Sequence, residues 1–194
     1  MGNEWKDNNC EILWGNAPAP FVGTLLKQCS ALGFQPKIAS IGRGAMFVED
    51  VASFGGDLPL GIGCEIWGDP SLQVSEGIGG TTLASLTERW TEETGKPLNR
   101  TIGSGYRSTQ VLIDVIERAG TLDREAVQAA LAETDLITIM HLVKFDENHF
   151  SYELLAFGQW RKTDQPWVWE QPVVFSQHDV IAVTADPIFP IPYD

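Results

Sequence analysis

GSGYRSTQVLIDVIERAG, residues 103–120, runs directly into TLDREAVQAALAETD, residues 121–135. The first stretch opens on a Gly-Ser-Gly turn and Tyr106. It then sets Val111, Leu112, Val115, Ile116 and Ala119 on one helical face. Ser104 is the expected N-cap. Ala119-Gly120 breaks the helix, and Thr121 or Asp123 caps a second, short one.

Upstream, the periodicity alternates between strand and helix. CEILWGN (10–16) reads as a short buried strand. Pro18 and Pro20 then suit a helix start, and Phe21, Leu25, Cys29 and Leu32 recur at helical spacing beside Leu26 before Gly33 ends the run. PKIASIG is a second strand, closed by the tight turn Gly42-Arg43-Gly44. This is a β-α-β unit, which implies parallel strands and a right-handed crossover. FVEDVASFGG reads as a short helix, LGIGCEIWG contains a strand, and DPSLQVSEGIGG is a loop. TTLASLTERWTEETG is a helix with Leu83, Leu86 and Trp90 on one face.

From Leu136 onward the pattern becomes strand-rich. ITIMHLVKF, SYELLAFGQW and PWVWEQPVVF are separated by polar turns, which predicts antiparallel hairpins. ADPIFPIPYD is expected to wrap over the surface, because its prolines cannot pair centrally in a sheet. The fold class is therefore α/β, with parallel strands early and antiparallel hairpins late.

Composition narrows the function. A chain of 194 residues with 43% hydrophobic residues and seven tryptophans can build a sizeable core. The net charge of −13, with no Lys/Arg cluster, excludes nucleic acid as a partner and disfavours an anionic membrane surface. No apolar run is long enough for a transmembrane helix, and MGNEWKDNN lacks the apolar core of a secretion signal. Cys10, Cys29 and Cys64 have no metal-ligand spacing. Cys10 and Cys29 can pair in an oxidising compartment or stay as thiols.

Catalytic and cofactor signatures are missing. The glycine turns miss the nucleotide-binding spacing, and His141, His149 and His178 stand apart. No catalytic residue, metal ligand or cofactor is assigned, and the chain reads as a non-enzyme. Aromatics carry the stronger signal. Trp14 and Trp67 fall near predicted strand ends and Tyr106 at a helix start, where an open α/β sheet places its ligand groups. Trp160, Trp167 and Trp169 fall in the late hairpins and read as core or lobe-packing residues.

The order EILWGN, LLKQCSALGF, PKIASIGRG, GIGCEIWGDP, SLTERWTEETGK and the opening helix pair resembles the later portion of the type I periplasmic solute-binding proteins. These are the branched-chain amino-acid group that feeds ABC transporters. The resemblance covers residues 8–175; in DLITIMHLVKFDENH, Met140-His141 stand where the family has Gly-Pro. It implies a type I periplasmic-binding-protein-like fold, with the second lobe plus part of the first. Residues 1–67 are assigned to the second lobe, 68–135 to the first, and 136–194 to a return to the second.

By the same resemblance, the chain is the solute-binding component of a transporter, working by lobe closure in the periplasm. Its partners are a small polar ligand (an amino acid, organic acid or amide) and transporter membrane subunits. A second copy or a missing-lobe partner covers the exposed lobe. The ligand contacts are Trp14, Asn16, Gly42, Arg43, Trp67 and Tyr106. Arg43 is assigned a ligand carboxylate, because a guanidinium binds one bidentately. The family position nearest Arg43 can carry an acid for an amino-acid ammonium. A cytosolic ligand-sensing domain of the same fold is the rival.

Overall fold

Pro18, in an extended conformation, precedes helix α2 (Ala19–Leu32), and Gly33 closes it in the left-handed region at φ 65°. A short helix α1 (Gly2–Asp7) and strand β1 (Ile12–Ala17) come before it, and β2 (Ile38–Arg43) follows. The structure, a computed structural model, describes residues 2–72, 76–98 and 100–193. Helix α3 (Val48–Phe54) and β3 (Ile62–Ile66) complete the first run. The chain divides into two compact units. Met1–Ile66 with Ala156–Asp194 form one, and Trp67–Leu155 the other.

The first unit is built on a five-stranded sheet, ordered β1-β2-β3-β6-β9. β1, β2 and β3 run parallel, as the β-α-β reading requires. β6 (Ala156–Gln159) and β9 (Val173–Ser176) join antiparallel. One sheet face, with Leu13, Ala39, Ile41, Ile62 and Cys64, packs on Val22 and Leu26 of α2 and on Val51 and Phe54 of α3. Helix α2 buries Val22, Leu26 and Cys29, so its inner face is rotated from the expected one, and Phe21 stands 58% exposed. The opposite sheet face carries Ile12, Trp14 and Phe175, all largely exposed.

Trp160 and Trp169 belong to this core, and the Trp160 indole donates to the Ala45 carbonyl at 2.6 Å. The short β7 (Arg161–Lys162) and β8 (Trp169–Glu170) pair beside them. The C-terminal tail is anchored rather than merely draped. Ile191 enters the core, and the buried Gln159 amide exchanges two hydrogen bonds with the Ile188 backbone. All three cysteines are free: Cys10 is exposed, Cys29 and Cys64 are buried.

In the second unit, Thr82 and Ser85 form a capping box at the start of α4 (Leu83–Thr94). Helix α5 (Ile102–Ala119) begins before the expected cap, so Gly103, Ser104 and Gly105 lie within its first turn rather than in a turn ahead of it. Gly103 is needed for packing. A Cβ there would sit 2.7 Å from Met140 Cγ and 3.0 Å from Leu83 Cδ1. Of the expected inner face, Val115 is buried and Leu112 is 54% exposed. Gly120 ends α5, and Asp123 caps α6 (Arg124–Ala132) by accepting from the Glu125 and Ala126 amides.

ITIMHLVKF is a hairpin and not a single strand. β4 (Asp135–Ile137) turns at Thr138–His141 into β5 (Leu142–Lys144). The Thr138 hydroxyl donates to the His141 carbonyl at 2.6 Å inside this buried turn. Residues 136–155 belong to the second unit. Arg107 on α5 holds them there through an ion pair with Glu153 at 2.5 Å and a contact with His141 at 3.0 Å.

Candidate ligand-binding site

The carboxyl ends of β1, β2 and β3 lie side by side in the first unit, because parallel strands end together. Register pairs Asn16 with Gly42 and Ala17 with Arg43. In an open parallel sheet this edge is where ligands bind.

The turn after β2 is strained. Arg43 has φ 59°, and the Gly44 amide donates to the Gly42 carbonyl across it at 2.7 Å, a three-residue turn. An L-residue in this region costs about 1–2 kcal/mol, and such strain concentrates at functional sites. Gly44 must lack a side chain, since a Cβ would lie 2.3 Å from the Ala17 carbonyl oxygen. Arg43 is exposed, and its guanidinium makes no hydrogen bond or ion pair among the described residues.

Glu65, at the end of β3, is a residue the sequence reading missed. Its Oε1 accepts the Arg43 backbone amide at 3.2 Å, and its Oε2 accepts the Cys64 thiol at 2.9 Å. Burial, followed by the Glu65 hydrogen bond and charge, pushes the Cys64 thiol well above its ordinary range, so it stays a proton donor. The carboxylate reaches across Gly42. A Cβ on Gly42 would lie 3.2 Å from Glu65 Oε2 and 3.6 Å from Asn16 Cγ. Among the described residues Glu65 has no ion-pair partner and the Asn16 amide no hydrogen bond. The sequence did hold a signal: Glu65 is the lone charge in GIGCEI, a position an apolar strand rarely gives away.

Trp14 lies mid-strand rather than at the strand end and is 79% exposed. With Asn16 and Phe21 it lines a hollow of about 380 Å³ between β1 and α2. The structure thus brings together Asn16, Gly42 and Arg43, adds Glu65, and keeps Trp14 on the neighbouring stretch of β1.

The two remaining candidates belong to the second unit. Trp67 is half-buried, and its indole N–H is buried with no partner among the described residues. Tyr106 lies in the first turns of α5, where its hydroxyl donates to the Ile78 carbonyl at 2.7 Å. It lines a hollow of about 470 Å³ with Ile78, Thr81, Leu86, Ile102 and Thr109. Next to Trp67, a buried ion pair fixes the chain: Arg100 Nη1 meets Asp69 Oδ2 at 2.5 Å. Among the described residues no group of His, Cys, Asp and Glu could hold a metal ion, and no helix is long and apolar enough to cross a membrane.

This architecture has relatives. The sequence pattern described as periplasmic binding protein matches residues 2–165. The chain belongs to the periplasmic binding protein family. Among solved periplasmic binding proteins, the leucine-binding protein LivK of Thermotoga maritima superposes with a TM-score of 0.70 at 21% identity, over 91% of this chain and 47% of that one. A periplasmic binding protein type 1 from Bordetella pertussis gives 0.67 at 14% identity, over 90% and 49%. A fatty acid ABC transporter substrate-binding protein from Thermomonospora curvata gives 0.64 at 13% identity, over 97% and 49%. The fold is that of the type I periplasmic binding proteins. The chain spans about half the length of these solved relatives. No curated protein sequence matched.

Proposed function

We propose that this periplasmic binding protein binds a small polar metabolite, such as an amino acid, organic acid or amide, for an ABC-type transporter. The observation that carries the reading is the parallel strand-end edge of the first unit. There a strained Arg43, an uncommitted Asn16 amide and the Glu65 carboxylate converge around Gly42. Arg43 takes a ligand carboxylate bidentately, and Asn16 adds a polar contact. Trp14 offers a flat apolar surface beside them. Trp67 and Tyr106, in the second unit, are further contacts that the family resemblance supports.

The neighbours' names support a solute-binding role and leave the ligand open, since one is a leucine-binding protein and another a fatty acid transporter component. The same membership supports transporter membrane subunits as partners and a periplasmic location. The exposed sheet face with Ile12, Trp14 and Phe175 supports association with a further polypeptide, either a second copy or the complementary half of such a fold.

A thermal-shift screen of amino acids, organic acids and their amides tests the reading. A ligand that binds only the folded state raises the melting temperature in proportion to the logarithm of its concentration. A concentration-dependent rise with one solute, abolished in Arg43→Ala, is the expected result. Rises that survive Arg43→Ala unchanged would move the site elsewhere.

A further inference from the structure

We propose that the open edge of the first unit's sheet, strand β1 with the outer face of α2, joins a second copy of this chain in a two-fold dimer. This deepens the proposed association of the first unit with a further polypeptide and rests on that reading. The two edges of the sheet differ. At β9 the chain's own tail covers the strand. There the Thr184 and Ala185 amides donate to the Val173 carbonyl at 2.8 and 3.2 Å, and the Thr184 hydroxyl oxygen accepts the Val173 amide at 3.0 Å. At the other edge, β1 hydrogen-bonds only with β2 among the described residues. An exposed edge is ordinarily blunted by a charge, a proline or a bulge. Ile12–Ala17 holds no charge and no proline, and it pairs with β2 in unbroken register.

Apolar side chains flank this edge on both faces of the sheet. Ile12 and Trp14 stand on one face, 62% and 79% exposed. On the other, Phe21, Leu25 and Leu32 of α2 line the hollow beside β1. These three recur at helical spacing, and the sequence assigned them to the inner face of α2. The sheet instead takes Val22, Leu26 and Cys29, which leaves the first stripe facing outward. Between residues 12 and 32 the single charge is Lys27, although the chain carries −13. Charge depletion with exposed aromatics is the composition of an interface centre. A second copy fits because the edge is its own complement. Antiparallel pairing of β1 with its image keeps both α2 helices on one face and leaves no open edge. Ile12, Trp14 and Phe21 expose roughly 400 Å² of apolar side chain per copy, about half of the roughly 800 Å² that each partner of a stable interface buries. The backbone edge and the facing α2 helices supply the remainder.

Sedimentation velocity combined with hydrogen–deuterium exchange tests the pairing. The 194-residue chain is kept reduced, so that exposed Cys10 forms no disulfide. The mass is expected to double as concentration rises through the micromolar range. Deuterium uptake over residues 12–17 should slow at least tenfold with it, while uptake over 173–176 stays unchanged. Trp14→Lys and Phe21→Lys, on opposite faces of the edge, should each weaken dimerisation at least tenfold. Phe175→Lys, at the covered edge, should leave it intact, with circular dichroism showing each variant folded. The wild-type exchange result stands however the variants fold. A monomer at every concentration overturns the second copy and leaves solute binding standing. A dimer whose uptake over 12–17 ignores concentration, or that survives both edge variants, overturns the β1 seam while the association itself holds.

Discussion

Removing Asp69 should cost far more than removing Asp69 and Arg100 together. Their side chains are 8% and 10% exposed. Asp69 Oδ1 accepts the Ser71 amide at 2.9 Å and the Ser71 hydroxyl at 2.6 Å, while Oδ2 accepts Arg100 at 2.5 Å. Asp69→Ala removes the carboxylate that Arg100 meets and the acceptor that the Ser71 amide and hydroxyl share. Losing one partner of a buried pair costs about 3–5 kcal/mol, a large share of a total stability of about 5–15 kcal/mol. Both ions also carry a desolvation penalty in the native protein. Asp69→Ala with Arg100→Met removes that penalty, so the double variant should recover about 2 kcal/mol or more of the loss. Urea unfolding of wild type, both single variants and the double variant, followed by circular dichroism, gives the coupling energy. A loss under about 1 kcal/mol for Asp69→Ala, or simple addition of the two single effects, would show that water screens the pair and that it does not anchor the chain beside Trp67.

Glu153 should make the second unit sensitive to acid. Burial pushes its carboxyl up, but the His141 hydrogen bond and the Arg107 charge outweigh this and hold it below the ordinary 4.5. A carboxylate with a depressed folded pKa contributes stability that is fully present above 4.5 and lost as pH falls through the folded value. Glu153→Gln should therefore cost about 1–2 kcal/mol at neutral pH and progressively less below the ordinary carboxylate range, in urea titrations at both pH values. Gly103→Ala should destabilise by about 1–3 kcal/mol in the same assay, because the added methyl collides with Met140 and Leu83. Arg43→Gly should be more stable than Arg43→Ala by about 1 kcal/mol, since only glycine relaxes the left-handed turn. Equal melting temperatures for those two variants would remove the strain from the account.

The parts legible in the sequence are those set by local rules. Pro18 and Gly33 bracket α2, Gly120 stops α5, and Asp123 caps α6, each through backbone chemistry that needs no distant partner. The parallel β1-β2 pairing followed from the β-α-β order. What escaped depended on neighbours far along the chain. The start of α5 is set where Gly103 meets Met140, and its N-cap residue Thr101 makes no side-chain cap hydrogen bond. The Thr138–His141 turn is hidden inside an apolar run because its donors and acceptors bond to one another. Likewise, the Arg107–Glu153 pair spans 46 positions and has no local signature. Within the candidate site, Asn16, Gly42 and Arg43 were legible as strand-end residues. Glu65 acquires meaning only when β3 lies against β2.

The proposed function rests on a solute binding at the strand-end edge through Arg43. Calorimetric titration with the solute that most raises the melting temperature tests it directly, using wild type, Arg43→Ala and Trp160→Phe. A charged bidentate contact contributes about 1.5–3 kcal/mol, so Arg43→Ala should weaken affinity roughly 10- to 100-fold. Trp160 is a core residue bonded to the Ala45 carbonyl, so Trp160→Phe should lower stability and leave the affinity of the folded protein within about twofold. Equal losses in the two variants, or no loss in Arg43→Ala, would contradict the account.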